Sequence, residues 1–191
     1  DQIIEYGSIL YRKRLASLRR LVPVARRIHS DLTGGEGLDV IYRPSVPLTG
    51  TETEAEIRTA FHRRLLDRAE LEKIRAVTLV GPHRDDIAFT ISGRDARSYG
   101  SQGQQRSVVV SMKVSELHFV RQETGRFPIL LLDDILSELD ASRRRGLLSA
   151  VTQEVQVFLT CTDYSPFESE LPRETVYYRV AAGTLEEHAR G

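Results

Sequence analysis

The chain has 191 residues, enough for one or two domains, and 40% of them are apolar, so a buried core is expected rather than a disordered tail. Formal net charge is +0 with 28% charged residues, so charge alone selects no partner and any nucleic-acid contact must come from a local patch. The lone cysteine, Cys161, cannot close an internal disulfide, and no apolar run approaches the roughly 20 residues that span a bilayer; a soluble, cytoplasmic protein without a membrane partner is the expectation.

From residue 4 to about residue 28 the apolar positions Ile4, Tyr11, Leu15, Leu18, Val22 and Ala25 recur every three or four residues. That period predicts a long amphipathic helix, kinked at Pro23. Arg12, Lys13, Arg19, Arg20, Arg26 and Arg27 fall on one broad face of it, and no acid lies between Tyr6 and Ser30. Such a stripe is ordinarily a solvated face; the second reading is a nucleic-acid backbone contact, with Arg19, Arg20, Arg26 and Arg27 as its candidates. "DLTGGEG" reads as a loop and "LDVIY" as a strand closed by "RPSVP". "TETEAEIRTAFHRRLLDRAELEKIRA" predicts a second helix, with a capping box from Thr53 to Glu56 and a buried stripe of Ile57, Ala60, Phe61 and Leu65. Residues 1–75 are therefore expected to form a mostly helical arm.

The texture changes at "AVTLVGPHRDD". Residues 76–191 alternate short strands and helices: strands in "VTLV", "DIAFTI" and "ARSYG", a helix over 101–122, a strand in "FPILLLDD", a helix over 141–151, and strands in "VQVFLTC", "TVYYRV" and "GTLEE". "SGRD" marks a hairpin turn, and "PILLL" predicts a strand buried on both faces by helices. The fold class expected is α/β, a sheet with a parallel core flanked by helices, beside the helical arm.

Two stretches carry chemistry. In "ILLLDDILSELD" an apolar strand delivers Asp133 and Asp134 to the carboxyl edge of the sheet, where open α/β sheets bind ligands. Asp133 suits a hydrated magnesium ion, a hard cation that keeps several waters, and Asp134, directed to the other side of the strand, suits polarisation of an attacking water. In "SQGQQR" Ser101 opens a helix that must bury itself. Its hydroxyl is either a helix cap or, with the free amides of the first turn and the close backbone approach that Gly103 permits, part of an anion site. "GPHRDD" is either an acid–base cluster around His83, Arg84, Asp85 and Asp86 or a tight turn held by salt bridges. His29, His62, His118 and His188 are expected on charged faces without a role, and Cys161 has no adjacent base to activate it.

"GPHRDD", "SYGSQGQQR" and "LLLDDILSELD" in this order resemble ABC-type ATPases of the SMC group and, within them, the RecF family of bacterial recombination mediators. The resemblance is strong over 76–165 and weaker over the first 75 residues. It implies the C-terminal half of an ABC-type ATPase head. Ser101, Gln102, Gly103 and Gln104 would belong to the signature that binds the γ-phosphate of ATP held by the other subunit of a homodimer. Asp133 would be the magnesium ligand, Asp134 the catalytic carboxylate, and Ser137, Glu138, Leu139 and Asp140 the D-loop crossing the dimer interface. It further implies ATP-dependent binding of double-stranded DNA at gap junctions, with RecR and RecO as partners in DNA repair, replication and the SOS response.

Three departures qualify this resemblance. Asp134 stands where most such ATPases carry Glu, which implies slow hydrolysis. Cys161 and Thr162 stand where many carry a switch histidine, leaving Thr160 or Thr162 to meet the γ-phosphate. No G-x-x-x-x-G-K-[ST] loop occurs, since the lysines are Lys13, Lys73 and Lys113 and none follows a glycine. With Asp1 first and Met112 the sole methionine, the sequence is expected to be the C-terminal part of something longer, inactive alone. The alternatives are a non-catalytic module recruiting recombination proteins and another SMC-type ATPase, although a long coiled coil is lacking.

Overall fold

The computed structural model describes residues 2–151 and 154–188, apart from the side chains of Phe167 and His188. Helix α1 (Gln2–Thr33) runs unbroken through Pro23, whose exposed position leaves water to solvate the carbonyl that the missing N–H would have bound. It extends a turn beyond expectation because Ile28, His29 and Leu32 continue the buried stripe. The Thr33 hydroxyl donates to the His29 carbonyl at 2.7 Å and accepts from Glu36 N–H at 3.2 Å, which closes the helix end.

Strand β1 (Leu38–Arg43) pairs antiparallel with β2 (Asp86–Ile91), which turns through Ser92 and Gly93 into β3 (Arg94–Asp95). Both turn residues have positive φ, 48° and 80°, the geometry a two-residue hairpin favours. Between β1 and β2 lies α2 (Glu54–Arg75), and its expected capping box is present: Thr53 accepts from Glu56 N–H while the Glu56 carboxylate accepts from Thr53 N–H at 2.7 Å. An added Cβ on Gly7 of α1 would stand 2.3 Å from Phe61, so glycine is what lets α1 and α2 approach this closely. Tyr11 then meets Phe61 edge-on at 5.6 Å.

Two expected strands are not formed. Over 77–80 the Glu72 carboxylate accepts the N–H groups of Leu79 and Val80, so the backbone is satisfied without a ladder, and Val80 is buried beside Phe61. At "ARSYG" the Asp95 carboxylate caps a single helical turn, α3 (Ala96–Tyr99), by accepting from Ser98 N–H at 2.8 Å.

Helix α4 (Gln102–Thr124) lies against α1, and β4 (Leu130–Asp133) pairs in parallel with β5 (Val157–Thr160), separated by α5 (Ala141–Ala150). Strands β6 (Tyr177–Ala181) and β7 (Thr184–His188) form a separate antiparallel hairpin. The architecture is thus α/β, but among the described residues its parallel core is one pair and its strands form three small sheets.

"PILLL" is not buried on both faces. Leu130 and Leu132 sit in a core with Ile28, Leu32, Val114 and Leu147, whereas Leu131 is 72% exposed, alongside Ile129, Val157 and Phe158. Helices α1, α4 and α5 fill one side of the pair, and among the described residues nothing covers the other. No described helix is long and apolar enough to cross a membrane.

The "GPHRDD" turn takes its structural reading. The Asp85 side chain, only 2% exposed, accepts from Arg14 Nη1 at 2.6 Å, Ser45 N–H at 2.8 Å, Tyr11 at 3.3 Å and the Tyr42 hydroxyl. His83 pairs with the Thr78 hydroxyl at 2.8 Å. Among the described residues no cluster of three or more acids, histidines and cysteines could hold a metal by itself.

Burial, reinforced by the Asp85 charge, pushes the Tyr11 hydroxyl from 10.0 up to about 12; burial and the hydrogen bond to Asp85 push Tyr42 up as well. Because the folded state keeps these protons above the pH at which the unfolded chain sheds them, their contribution is complete below the ordinary value of 10.0 and is lost as pH rises towards about 12. We predict a urea midpoint that falls across this window and a shallower fall in Tyr11→Phe. An equal fall in wild type and variant would refute the assignment.

Candidate functional site

The β4 strand ends on Asp133, opposite Thr160 at the end of β5. Parallel register puts the Thr160 hydroxyl beside the Asp133 carboxylate, to which it donates. The chain then leaves the strand direction at once: Asp134 has φ 52°, a left-handed conformation that costs a non-glycine residue about 1–3 kcal/mol and that Asp tolerates better than most. Its N–H donates to the Thr160 carbonyl at 3.1 Å and contacts the hydroxyl at 3.2 Å. Simple strand alternation, which placed Asp134 on the opposite strand face, therefore does not apply, because the strand stops one residue earlier. Both carboxylates are exposed.

Beyond them, Leu136 and Leu139 are buried and fasten a short 3₁₀ turn, leaving Ser137 and Glu138 exposed between them. Asp140 caps α5 by accepting from Arg143 N–H at 2.9 Å, a bond that holds its carboxyl below the usual carboxylate range. Burial raises the Cys161 thiol, and the charges of Asp134 and Asp163 raise it further, the opposite of what a nucleophile requires.

At the start of α4, Ser101 is the N-cap: its hydroxyl accepts from Gln104 N–H at 3.2 Å while Gln104 Oε1 accepts from Ser101 N–H at 3.0 Å. Gln102 is exposed, and Gly103 faces Arg143, whose Nη1 would lie 3.3 Å from an added Cβ. Gln105 Nε2 donates to the Ala96 and Gly100 carbonyls, both at 3.1 Å, and so steadies the segment leading into the cap. Arg106 forms an ion pair with Glu138, and Arg143 pairs with Asp140. The turn at 101–104 and the segment 137–140 are thereby brought together in one chain.

The match to known proteins extends from end to end. A DNA replication and repair protein RecF from Symbiobacterium thermophilum is 44% identical over 196 residues, 100% of this chain and 52% of its own length. RecF from Staphylococcus carnosus is 41% identical over 97% of this chain and 50% of its own length. The likeness to RecF spans the whole chain. The solved structure of the recombination mediator protein RecF-ATPrS in the RecFOR pathway superposes with a TM-score of 0.80 at 32% identity, covering 97% of this chain and 48% of that one. The RecF-ATP structure gives 0.79 at 30%. The chain therefore spans about half the length of the RecF proteins it matches. No family model matches it.

The basic stripe that sequence reading singled out in this RecF-like chain is divided. Arg20 is paired with Glu123 and lies 4.9 Å from the Phe119 ring, and Arg26 bonds Asp39 at 2.6 Å. Arg19 and Arg27 are exposed. Sequence reading missed His29, expected on a charged face but wholly buried, because it continues the apolar stripe of α1 one turn further. It also missed Glu36, whose Oε1 accepts from Gln104 Nε2 at 3.2 Å across 68 residues of chain; no local pattern announces that contact.

Proposed function

We propose that this chain is the C-terminal half of the ATP-binding head of a RecF-type DNA replication and repair protein, with residues 1–75 acting as its helical arm. The supporting observation is the likeness, along this whole chain, to about half the length of the RecF proteins and of the solved RecF-ATP and RecF-ATPrS structures, in a chain whose β4 ends on an exposed carboxylate pair. The uncovered face of β4 and β5 would receive the rest of the head, including the phosphate loop that this sequence does not contain.

In this reading Ser101, Gln102, Gly103 and Gln104 present a hydroxyl and the free amides of the α4 N-terminus to the γ-phosphate of ATP held by a second copy, where the helix dipole favours negative charge. Ser137, Glu138, Leu139 and Asp140 cross the same interface. Asp134 orients and deprotonates the attacking water, slowly, its carboxylate being one methylene shorter than Glu. Asp133 is the residue that would hold magnesium, an oxygen-seeking ion that one carboxylate and phosphate oxygens can retain and that neutralises charge between phosphates.

ATP binding then closes two copies around double-stranded DNA beside single-strand gaps, and hydrolysis reopens them, with RecO and RecR as cytoplasmic partners during repair and the SOS response. For the whole-length protein, Asp134→Asn is expected to lower hydrolysis about 100-fold while sedimentation still shows ATP-driven dimers that persist longer than wild type. Wild-type hydrolysis in that variant, with function retained, would favour a recruitment module instead.

The arginine stripe of α1 is the DNA surface in this account, with Arg19 and Arg27 carrying more than the internally paired Arg20 and Arg26. Replacing all four by Ala should weaken binding to every sequence and reduce the slope of log K against log salt by about two to four. An unchanged slope would move the DNA surface elsewhere.

A further inference from the structure

A line of polar side chains runs inward from the first turn of α4. Both ends of the Gln104 amide are fixed: Oε1 accepts from Ser101 N–H at 3.0 Å and Nε2 donates to Glu36 Oε1 at 3.2 Å. Glu36 is held in turn by the closed end of α1, its N–H bonded to Thr33 at 3.2 Å. The other carboxylate oxygen, Oε2, is buried without a hydrogen-bond partner, 4.0 Å from Nε2 of His29, which is likewise buried and without one. His29 itself is 0% exposed.

Counting hydrogens decides the state of this pair. The Ser111 hydroxyl has one hydrogen, committed to the Ser107 carbonyl at 2.6 Å, so towards His29 Nδ1, at 3.3 Å, it can only accept. His29 therefore carries its hydrogen on Nδ1 and, while neutral, turns a bare lone pair towards the carboxylate. Burial, the largest influence, lowers the His29 pKa, as does the charge of Arg143, against a backbone hydrogen bond with Ser107 and the charge of Glu36. Two acceptors face each other, and the Glu36 carboxylate is left with Gln104 as its donor on the outer side.

We infer that Glu36 is a positioning residue for the Ser101–Gln104 turn: by holding the Gln104 amide nitrogen it prevents that amide from flipping, and so keeps the Ser101 hydroxyl and the free amides of α4 aimed at phosphate. This rests on the proposed role of that turn in binding ATP across a dimer. A flipped Gln104 would set its NH₂ against Ser101 N–H, donor against donor, and the capping box would open. The physical requirement is a side chain of glutamate length with an acceptor at its tip, not a negative charge. Gln at position 36 supplies that acceptor to Gln104 and also a donor to the His29 lone pair, whereas Asp retains the charge but is one methylene too short.

The test uses whole-length protein, with ATP titrated against dimerisation in the ultracentrifuge and thermal melting without ATP as the check on folding. Glu36→Ala and Glu36→Asp are expected to raise the ATP concentration for half-maximal dimerisation about tenfold, and Glu36→Gln to stay within about twofold of wild type. In a Gln104→Ala background Glu36→Ala should add nothing. Wild-type behaviour of Glu36→Asp, a defect in Glu36→Gln equal to that of Glu36→Ala, or full additivity with Gln104→Ala would each overturn the assignment. Should Glu36→Ala fail to fold, the Asp and Gln variants decide it. Ser101→Arg separates the two levels: if it dimerises normally the signature reading itself fails, whereas loss in Ser101→Arg with normal Glu36→Asp removes only the role of Glu36.

Discussion

Helix α1 contributes side chains to each of the three apolar cores among the described residues: Tyr11 to the cluster around Phe61, Ala25 to that around Leu38 and Val108, and Ile28 and Leu32 to that around β4 and α5. The rest of the structure depends on this continuity. A proline inside a helix costs about 3 kcal/mol, and burying one large apolar side chain returns about 1.5–3 kcal/mol, so the packing along α1 outweighs the loss at Pro23. One rod thereby connects the Asp85 hub at one end, through Arg14 and Tyr11, with the Glu36 loop at the other.

That connection gives the candidate site its character. The turn at Ser101 is tied to α1 through Glu36 and to the 137–140 segment through Arg106 and Glu138, while its Gly103 lies close to Arg143 of α5. Asp133 and Asp134 are fixed by Thr160 on the neighbouring strand. Groups with tight internal partners surround groups left exposed, which suits a surface that keeps its shape while awaiting a ligand. The open apolar face of β4 and β5 is the counterpart: a sheet that the described residues cover on one side only.

Local chemistry was legible in the sequence wherever cause and effect lay within a few residues. Thr53 with Glu56, Ser101 at the head of α4, the Ser92–Gly93 turn and the run into Asp133 all follow from short-range rules. What escaped needed a distant partner. "VTLV" has strand composition but the amides of its Leu79 and Val80 are taken by Glu72; "PILLL" is apolar throughout but the described helices reach only one side of it; Asp134 leaves strand alternation because its backbone turns left-handed against Thr160. The Gln104 contact with Glu36 belongs to the same class, since nothing in either local sequence names the other.

The most direct test of two copies sharing each nucleotide is subunit mixing with whole-length protein. Ser101→Arg and Asp133→Asn should each be inactive alone. If the Ser101 turn serves ATP held by the other subunit, a mixed dimer contains one site with both residues intact, and each mixed dimer should hydrolyse ATP at about half the rate of a wild-type dimer. If Ser101 serves the nucleotide of its own subunit, no mixed site is intact; a mixture as inactive as its parents, with mixed dimers demonstrated, would contradict the account.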